Sequence, residues 1–279
     1  MQIIIAKKAG FCFGVKRAID ITFDFAKKSK RGVFTYGPLI HNPQVVEELK
    51  GVGVNTTDNL YAPDIETLII RTHGVSPEVY TETSKMGYNV IDATCPFVKK
   101  AQDYTKILKD EGYQVLIIGD KEHPEVHGLI GFAGEDVVVA NDVENMPVLK
   151  KRVGIIVQTT QSFVTFKGII SYVIGKAREV KIYNTICDST IQRVRETKEL
   201  AKKVGLLIIV GGKNSANTNQ LVKLSGEVCD KVYHIETGQE IVEDWFNGIE
   251  TVGISGGAST PQSIIDGVVK KIREISVRR

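Results

Sequence analysis

Closely paired cysteines are missing from these 279 residues. There are four, Cys12, Cys95, Cys187 and Cys229, and none stands near enough to another to form the paired-cysteine clip that advertises structural zinc. No apolar run is long enough to span a membrane. The apolar stretch Met1 to Ala6 is too short for a signal core and reads as a buried strand. With no export signal, the expected location is the cytoplasm, where cysteines serve as ligands or catalytic groups rather than disulfides. Excess charge of one sign is lacking too. Lys and Arg number 36 against 33 Asp and Glu, a net charge of +3. Basic pairs such as Lys27-Lys28 and Lys202-Lys203 read as solvated helix faces. No basic stripe interleaved with aromatics is present, which argues against a nucleic-acid partner. The mild positive balance is compatible with a small anionic substrate. A hydrophobic content of 42% with 25% charged residues is ordinary for a globular protein of one to three domains.

What is present is an even spacing. Cys12, Cys95 and Cys187 cut the chain into near-equal thirds, with gaps of 83 and 92 residues and 92 residues after the last. Each is followed by a helix-like apolar stripe. The stripes are Val15, Ala18, Ile19, Thr22 and Ala26; then Val98, Ala101, Thr105 and Leu108; then, more weakly, Ile191, Val194, Ala201 and Val204. Buried strands follow at Val33 to Tyr36, Val115 to Ile118 and Leu206 to Val210. Polar loops come next, and His41, His123 and Ser215 stand 29, 28 and 28 residues after the preceding cysteine. A second strand and polar loop follow in each third: Leu68 to Gly74, Ile155 to Thr160, and Val252 to Ser259. Helices begin near Pro77, Phe163 and Pro261. A closing strand delivers the next cysteine at Asn89 to Ile91 and at Val180 to Tyr183. The last third lacks that strand, and Ile3 to Ile5 supplies it.

The expected fold is therefore α/β, with three pseudo-threefold-related units and mostly parallel sheets around a central site. The expected units are 13–95, 96–187 and 188–279, the third completed by strand 1–12. Ligand sites in parallel sheets lie at the carboxyl ends of strands, where each cysteine and both polar loops of each unit fall. A cysteine at a helix N-terminus favours thiolate, and three thiolates at one point suit an iron–sulfur cluster or zinc. Cys229, off this spacing, reads as a small buried hydrophobe. Three of the five histidines, His41, His73 and His123, fall on the inferred rim, while His127 and His234 do not. With the hydroxyls and amides of Asn214 to Asn217 and Gly256 to Ser259, they make an anion pocket suited to a diphosphate. A rim carboxyl in His123-Pro124-Glu125 can act as an acid, although the pattern alone does not separate Glu125 from Glu122.

Six segments occur in order: Gly10-Phe11-Cys12-Phe13-Gly14-Val15, Asp92-Ala93-Thr94-Cys95-Pro96, His123-Pro124-Glu125-Val126, Gln158-Thr159-Thr160, Lys213-Asn214-Ser215 and Gly257-Ala258-Ser259. Together they resemble the 4-hydroxy-3-methylbut-2-enyl diphosphate reductase family, from Ile3 to the helix at Pro261. The resemblance implies one 4Fe–4S cluster per chain, held by Cys12, Cys95 and Cys187 with the fourth iron open to substrate. It implies diphosphate contacts from His41, His73, His123, Ser215, Asn217 and Ser259. Thr159 and Glu125 match the hydroxyl-side residues, Glu125 as proton source. The implied reaction is a two-electron reductive dehydroxylation yielding isopentenyl and dimethylallyl diphosphates, with ferredoxin or flavodoxin as electron donor. A monomer is expected. Where family members often carry Ser-Ser-Asn, this chain has Ser215-Ala216-Asn217, one hydroxyl fewer. Two other classes compete: a metal-free anion-binding protein, and a zinc hydrolase with Cys and His ligands.

Overall fold

The computed structural model describes residues 1–29 and 32–278. Lys30, Arg31 and Arg279, which fall inside the expected first and third units, lie outside the described residues. Helices and strands alternate along the chain. The strands are β1 (Gln2–Ile5), β2 (Val33–Tyr36), β3 (Val54–Thr57), β4 (Thr67–Ile70), β5 (Asn89–Asp92), β6 (Gln114–Ile118), β7 (Val138–Ala140), β8 (Arg152–Val157), β9 (Glu179–Tyr183), β10 (Leu206–Val210), β11 (Val232–Ile235) and β12 (Thr251–Gly256). The helices are α1 (Phe13–Ala26), α2 (Pro43–Gly51), α3 (Pro77–Met86), α4 (Pro96–Asp110), α5 (Pro124–Ala133), α6 (Phe163–Ile174), α7 (Asp188–Ala201), α8 (Ala216–Gly226) and α9 (Gln262–Arg278). Four of the eight prolines open a helix, at α2, α3, α4 and α5. The fixed φ of proline suits that position, and its missing N–H costs nothing there.

The strands form three parallel sheets of four, ordered β3-β2-β4-β5, β7-β6-β8-β9 and β1-β12-β10-β11. Read from the other edge, the third repeats the order of the first two, with β1 in the place of β5 and β9. It pairs in parallel with β12, from Gln2 opposite Thr251 to Ile5 opposite Ile254. The start of the chain thus supplies the fourth strand of this sheet. Every residue of the inner strands β4, β6 and β10 is buried, as helices on both faces of a parallel sheet require. The edge strands β3 and β7 were not foreseen. They are short, and none of their residues except Val54 is fully buried, so they carry little apolar signal.

The chain divides into two compact units. The first comprises Met1–Lys16, His41–Glu47 and Asp188–Arg279; the second comprises Arg17–Ile40 and Glu48–Cys187. The first holds the sheet containing β1, with a core of Ile208, Val210, Val252, Ile254, Ile265, Val268 and Ile272. The second holds the other two sheets. Within it α5 packs closely against the start of α3, because Gly131 presents no side chain there. A Cβ at Gly131 would lie 2.4 Å from the Ser76 Cβ.

Of the stripe expected along α7, Val194, Ala201 and Val204 pack into the core, and one member does not. Ile191 is exposed, and the buried positions are Thr190, Arg193, Thr197, Leu200 and Ala201. This helix turns polar groups inward, which apolar periodicity cannot report.

Candidate functional site

Each of the three evenly spaced cysteines leaves a strand and precedes a helix: β1 to α1, β5 to α4 and β9 to α7. One hydrogen bond recurs at all three. The Cys12 N–H donates to the Ala258 carbonyl at 3.0 Å, Cys95 to Thr72 at 3.0 Å, and Cys187 to Thr159 at 2.9 Å. Each acceptor lies in the loop after the neighbouring strand of the same sheet. The repeat is therefore preserved at the level of single backbone bonds. All four cysteines are half-buried. That includes Cys229, expected to be fully buried, whose sulfur lies 3.6 Å from the Lys231 carbonyl.

The expected ligand set of Cys12, Cys95 and Cys187 for a 4Fe–4S cluster needs correction. Among the described residues, the potential metal-ligand atoms that do come together are histidine nitrogens, not cysteine sulfurs. Each cysteine is held in its own loop by its own backbone bond. Sequence spacing placed them at equivalent positions, but equivalence does not bring sulfurs into contact.

In the first unit the polar groups gather around α8. Ser215 caps this helix, its hydroxyl accepting from the Thr218 N–H at 3.3 Å. Asn217, in the first turn, is 4% exposed, and neither its Oδ1 nor its Nδ2 has a hydrogen-bond partner. A buried amide left in this state costs about 1–3 kcal/mol. The Ser259 hydroxyl donates to the His41 carbonyl at 3.2 Å. That carbonyl also crowds Gly212, where a Cβ would come within 2.7 Å of it. Ser215, Asn217, Ser259 and the His41 backbone thus share one corner, and the positive end of α8 favours an anion there.

In the second unit only one of the two neighbouring glutamates is buried. Glu125 is 1% exposed, while Glu122 is exposed at the surface. The Thr159 N–H donates to Glu125 Oε1 at 2.6 Å and the Thr159 hydroxyl to Oε2 at 2.8 Å. Burial raises the Glu125 pKa to about 7, against the opposing pull of the Thr159 N–H and hydroxyl. His123 caps α5, and its Nδ1 accepts from the Glu125 N–H at 3.1 Å. An accepting Nδ1 places the ring proton on Nε2. The rings of His73 and His123 meet edge to face, with centroids 5.3 Å apart. His127 is exposed, and His234 Nε2 meets the Gly211 carbonyl at 2.8 Å. One contributor went unassigned in the sequence although its motif was visible. Gln158, 3% exposed, donates to the Thr160 hydroxyl at 3.0 Å and accepts from the Asp120 N–H at 2.9 Å.

A model of the LytB protein family matches residues 3–273. The chain is 45% identical over 279 residues to the 4-hydroxy-3-methylbut-2-enyl diphosphate reductase of Pelobacter propionicus, covering 99% of each. It is 45% identical over 282 residues to that of Geobacter sulfurreducens, covering 100% of this chain and 99% of the relative. Among solved structures it is similar to an (E)-4-hydroxy-3-methylbut-2-enyl diphosphate reductase, the terminal enzyme of the non-mevalonate pathway. There the identity is 43% and the TM-score 0.74, over 98% of this chain and 100% of that one. The E-1-hydroxy-2-methyl-but-2-enyl-4-diphosphate reductase of Plasmodium falciparum superposes with a TM-score of 0.90 at 27% identity, over 96% of this chain and 87% of that one.

Proposed function

The chain belongs to the LytB protein family, and on that premise we propose how its residues share the work of the reaction. The enzyme converts (E)-4-hydroxy-3-methylbut-2-enyl diphosphate to isopentenyl diphosphate and dimethylallyl diphosphate. Two electrons and two protons enter. The C–O bond to the hydroxyl breaks, one proton leaves in water and the other ends on carbon.

Hydroxide is a poor leaving group, so an acid must protonate it as the bond breaks. Glu125 is our candidate, and its buried carboxyl between the two Thr159 donors carries the reading. A pKa of about 7 keeps a large protonated fraction at neutral pH. Thr159, bonded to both carboxylate oxygens, orients the acid and meets the hydroxyl end of the substrate. Within the first unit, His41, Ser215, Asn217 and Ser259 take the diphosphate oxygens. The unpartnered Asn217 amide supports this role, since its N–H donors suit an anionic oxygen. The functional thirds are 13–95, 96–187 and 188–279 with 1–12.

Side chains supply no single electrons of the required kind, so a ferredoxin- or flavodoxin-type protein delivers them. Among the described residues, no helix is long and apolar enough to cross a membrane. We place the enzyme in the cytoplasm as a monomer without a nucleic-acid partner. Turnover of the allylic diphosphate with a low-potential one-electron reductant, under strict anaerobiosis, tests the acid. Glu125→Gln should lose about 100-fold or more in kcat and keep its affinity for inorganic pyrophosphate. Near-normal turnover would remove Glu125 as the proton donor.

A further inference from the structure

Arg193 belongs to none of the motifs that mark this family in the sequence. It lies on α7 and is 2% exposed. A cation so placed must be compensated by the groups around it. Its guanidinium donates to three backbone carbonyls: Lys8, Gly10 at 2.9 Å and Gly256 at 2.7 Å. Two of these belong to the loop between β1 and α1, which ends at Cys12. The third ends β12 and leads into Gly257-Ala258-Ser259. One turn further along α7, the Glu196 carboxylate accepts the N–H of Lys7 at 2.6 Å and of Lys8 at 2.8 Å. Next to it, the Thr197 hydroxyl pairs with the Ser255 hydroxyl at 2.8 Å. Positions 193, 196 and 197 share one face of a helix.

The two loops need such a hold. Gly10 sits at φ +100°, in the left-handed region, and a Cβ at Gly256 would approach the Gly10 nitrogen to 3.3 Å. Their carbonyls turn inward, where only a donor with several fixed N–H groups can serve all three. Arginine has that planar fork; lysine is a point charge on a flexible stem.

We propose that Arg193 is a positioning residue for substrate binding. By tying Lys8 and Gly10 to Gly256, it fixes the Cys12 loop and the Ser259 loop against each other. The Cys12 N–H to Ala258 bond adds to the same join. The placement of the Ser259 hydroxyl follows from this clamp. The inference rests on Ser259 contacting substrate, as proposed above.

Steady-state kinetics and melting curves for four variants test it. Arg193→Met should raise the substrate KM about tenfold or more, with a smaller change in kcat, and Arg193→Lys should recover part of that rise. Thr197→Val breaks a buried bond from the same helix to the same strand but leaves the loop carbonyls held. It should lower Tm while changing KM by less than about twofold. Equal KM effects for Arg193→Met and Thr197→Val at matched loss of Tm would reduce Arg193 to a stability role and overturn the proposal. Ser259→Ala separates the layers. An unchanged KM there removes the substrate reading of Ser259; a raised KM there beside an unchanged KM in Arg193→Met removes the clamp alone. If Arg193→Met does not fold, Glu196→Gln loosens the same loop from its other side and should raise KM several-fold. An unchanged KM in that variant overturns the proposal as well.

Discussion

The unit built on the sheet containing β1 and the unit holding the other two sheets share one strand order. One buried polar group from each shows two opposite states. In the first, Asn217 is buried with both amide atoms unpartnered. In the second, both Glu125 oxygens are taken by one residue, Thr159. A buried polar group that its own chain leaves unsatisfied is arranged for a partner from outside, because otherwise its desolvation is uncompensated. A carboxyl buried this deeply keeps its proton to higher pH, because desolvation outweighs the two Thr159 donors. The same scaffold thus leaves a buried amide open in one unit and a carboxyl of raised pKa in the other.

The largest expected effect strikes the second unit. Folding raises the Glu125 pKa from the ordinary 4.5 to about 7, so between those values the folded protein binds more protons than the unfolded chain. The stabilisation tied to the protonated carboxyl is full below about pH 4.5 and is lost as pH rises through about 7. Urea titrations at pH 5 and pH 8 should show the wild type losing up to about 3 kcal/mol relative to Glu125→Gln. Parallel losses in both proteins would mean that Glu125 titrates normally. The next effect strikes the first unit. Asn217→Leu removes an unsatisfied amide, so thermal unfolding should show it more stable by about 1 kcal/mol, while KM rises about tenfold. A drop in Tm would show that the amide is satisfied within the chain, and the contrast between the units would fail. The smallest effect sharpens the same corner. Ala216→Ser adds a hydroxyl to the first turn of α8 and should lower KM about threefold. An unchanged KM would show that Ser215, Asn217 and the backbone already suffice.

Much of this architecture was legible in the chain. The runs at Val33 to Tyr36, Val115 to Ile118 and Leu206 to Val210 became strands because an inner parallel strand must be apolar on both faces. The illegible parts have one physical cause. Edge strands β3 and β7 owe their existence to a neighbour's backbone, not to their own side chains. The stripe on α7 omitted Arg193 and Thr197, which are polar by type and are buried by partners far along the chain. The two glutamates of Glu122 to Glu125 are chemically alike, and only burial against Thr159 separates them. Cysteine spacing carried the repeat correctly and the ligand set incorrectly, since periodicity reports equivalent positions and says nothing of distances between them.

By itself, then, the sequence determined the repeat, the parallel sheets and the family, because each is written in local periodicity or contiguous motifs. The tertiary structure alone decided which polar groups are buried, which are satisfied and which are left waiting. Arg193 meets the Lys8 carbonyl across 185 residues of chain, and Thr159 meets Glu125 across 34. Protonation and pairing follow from such meetings, and no local pattern encodes them.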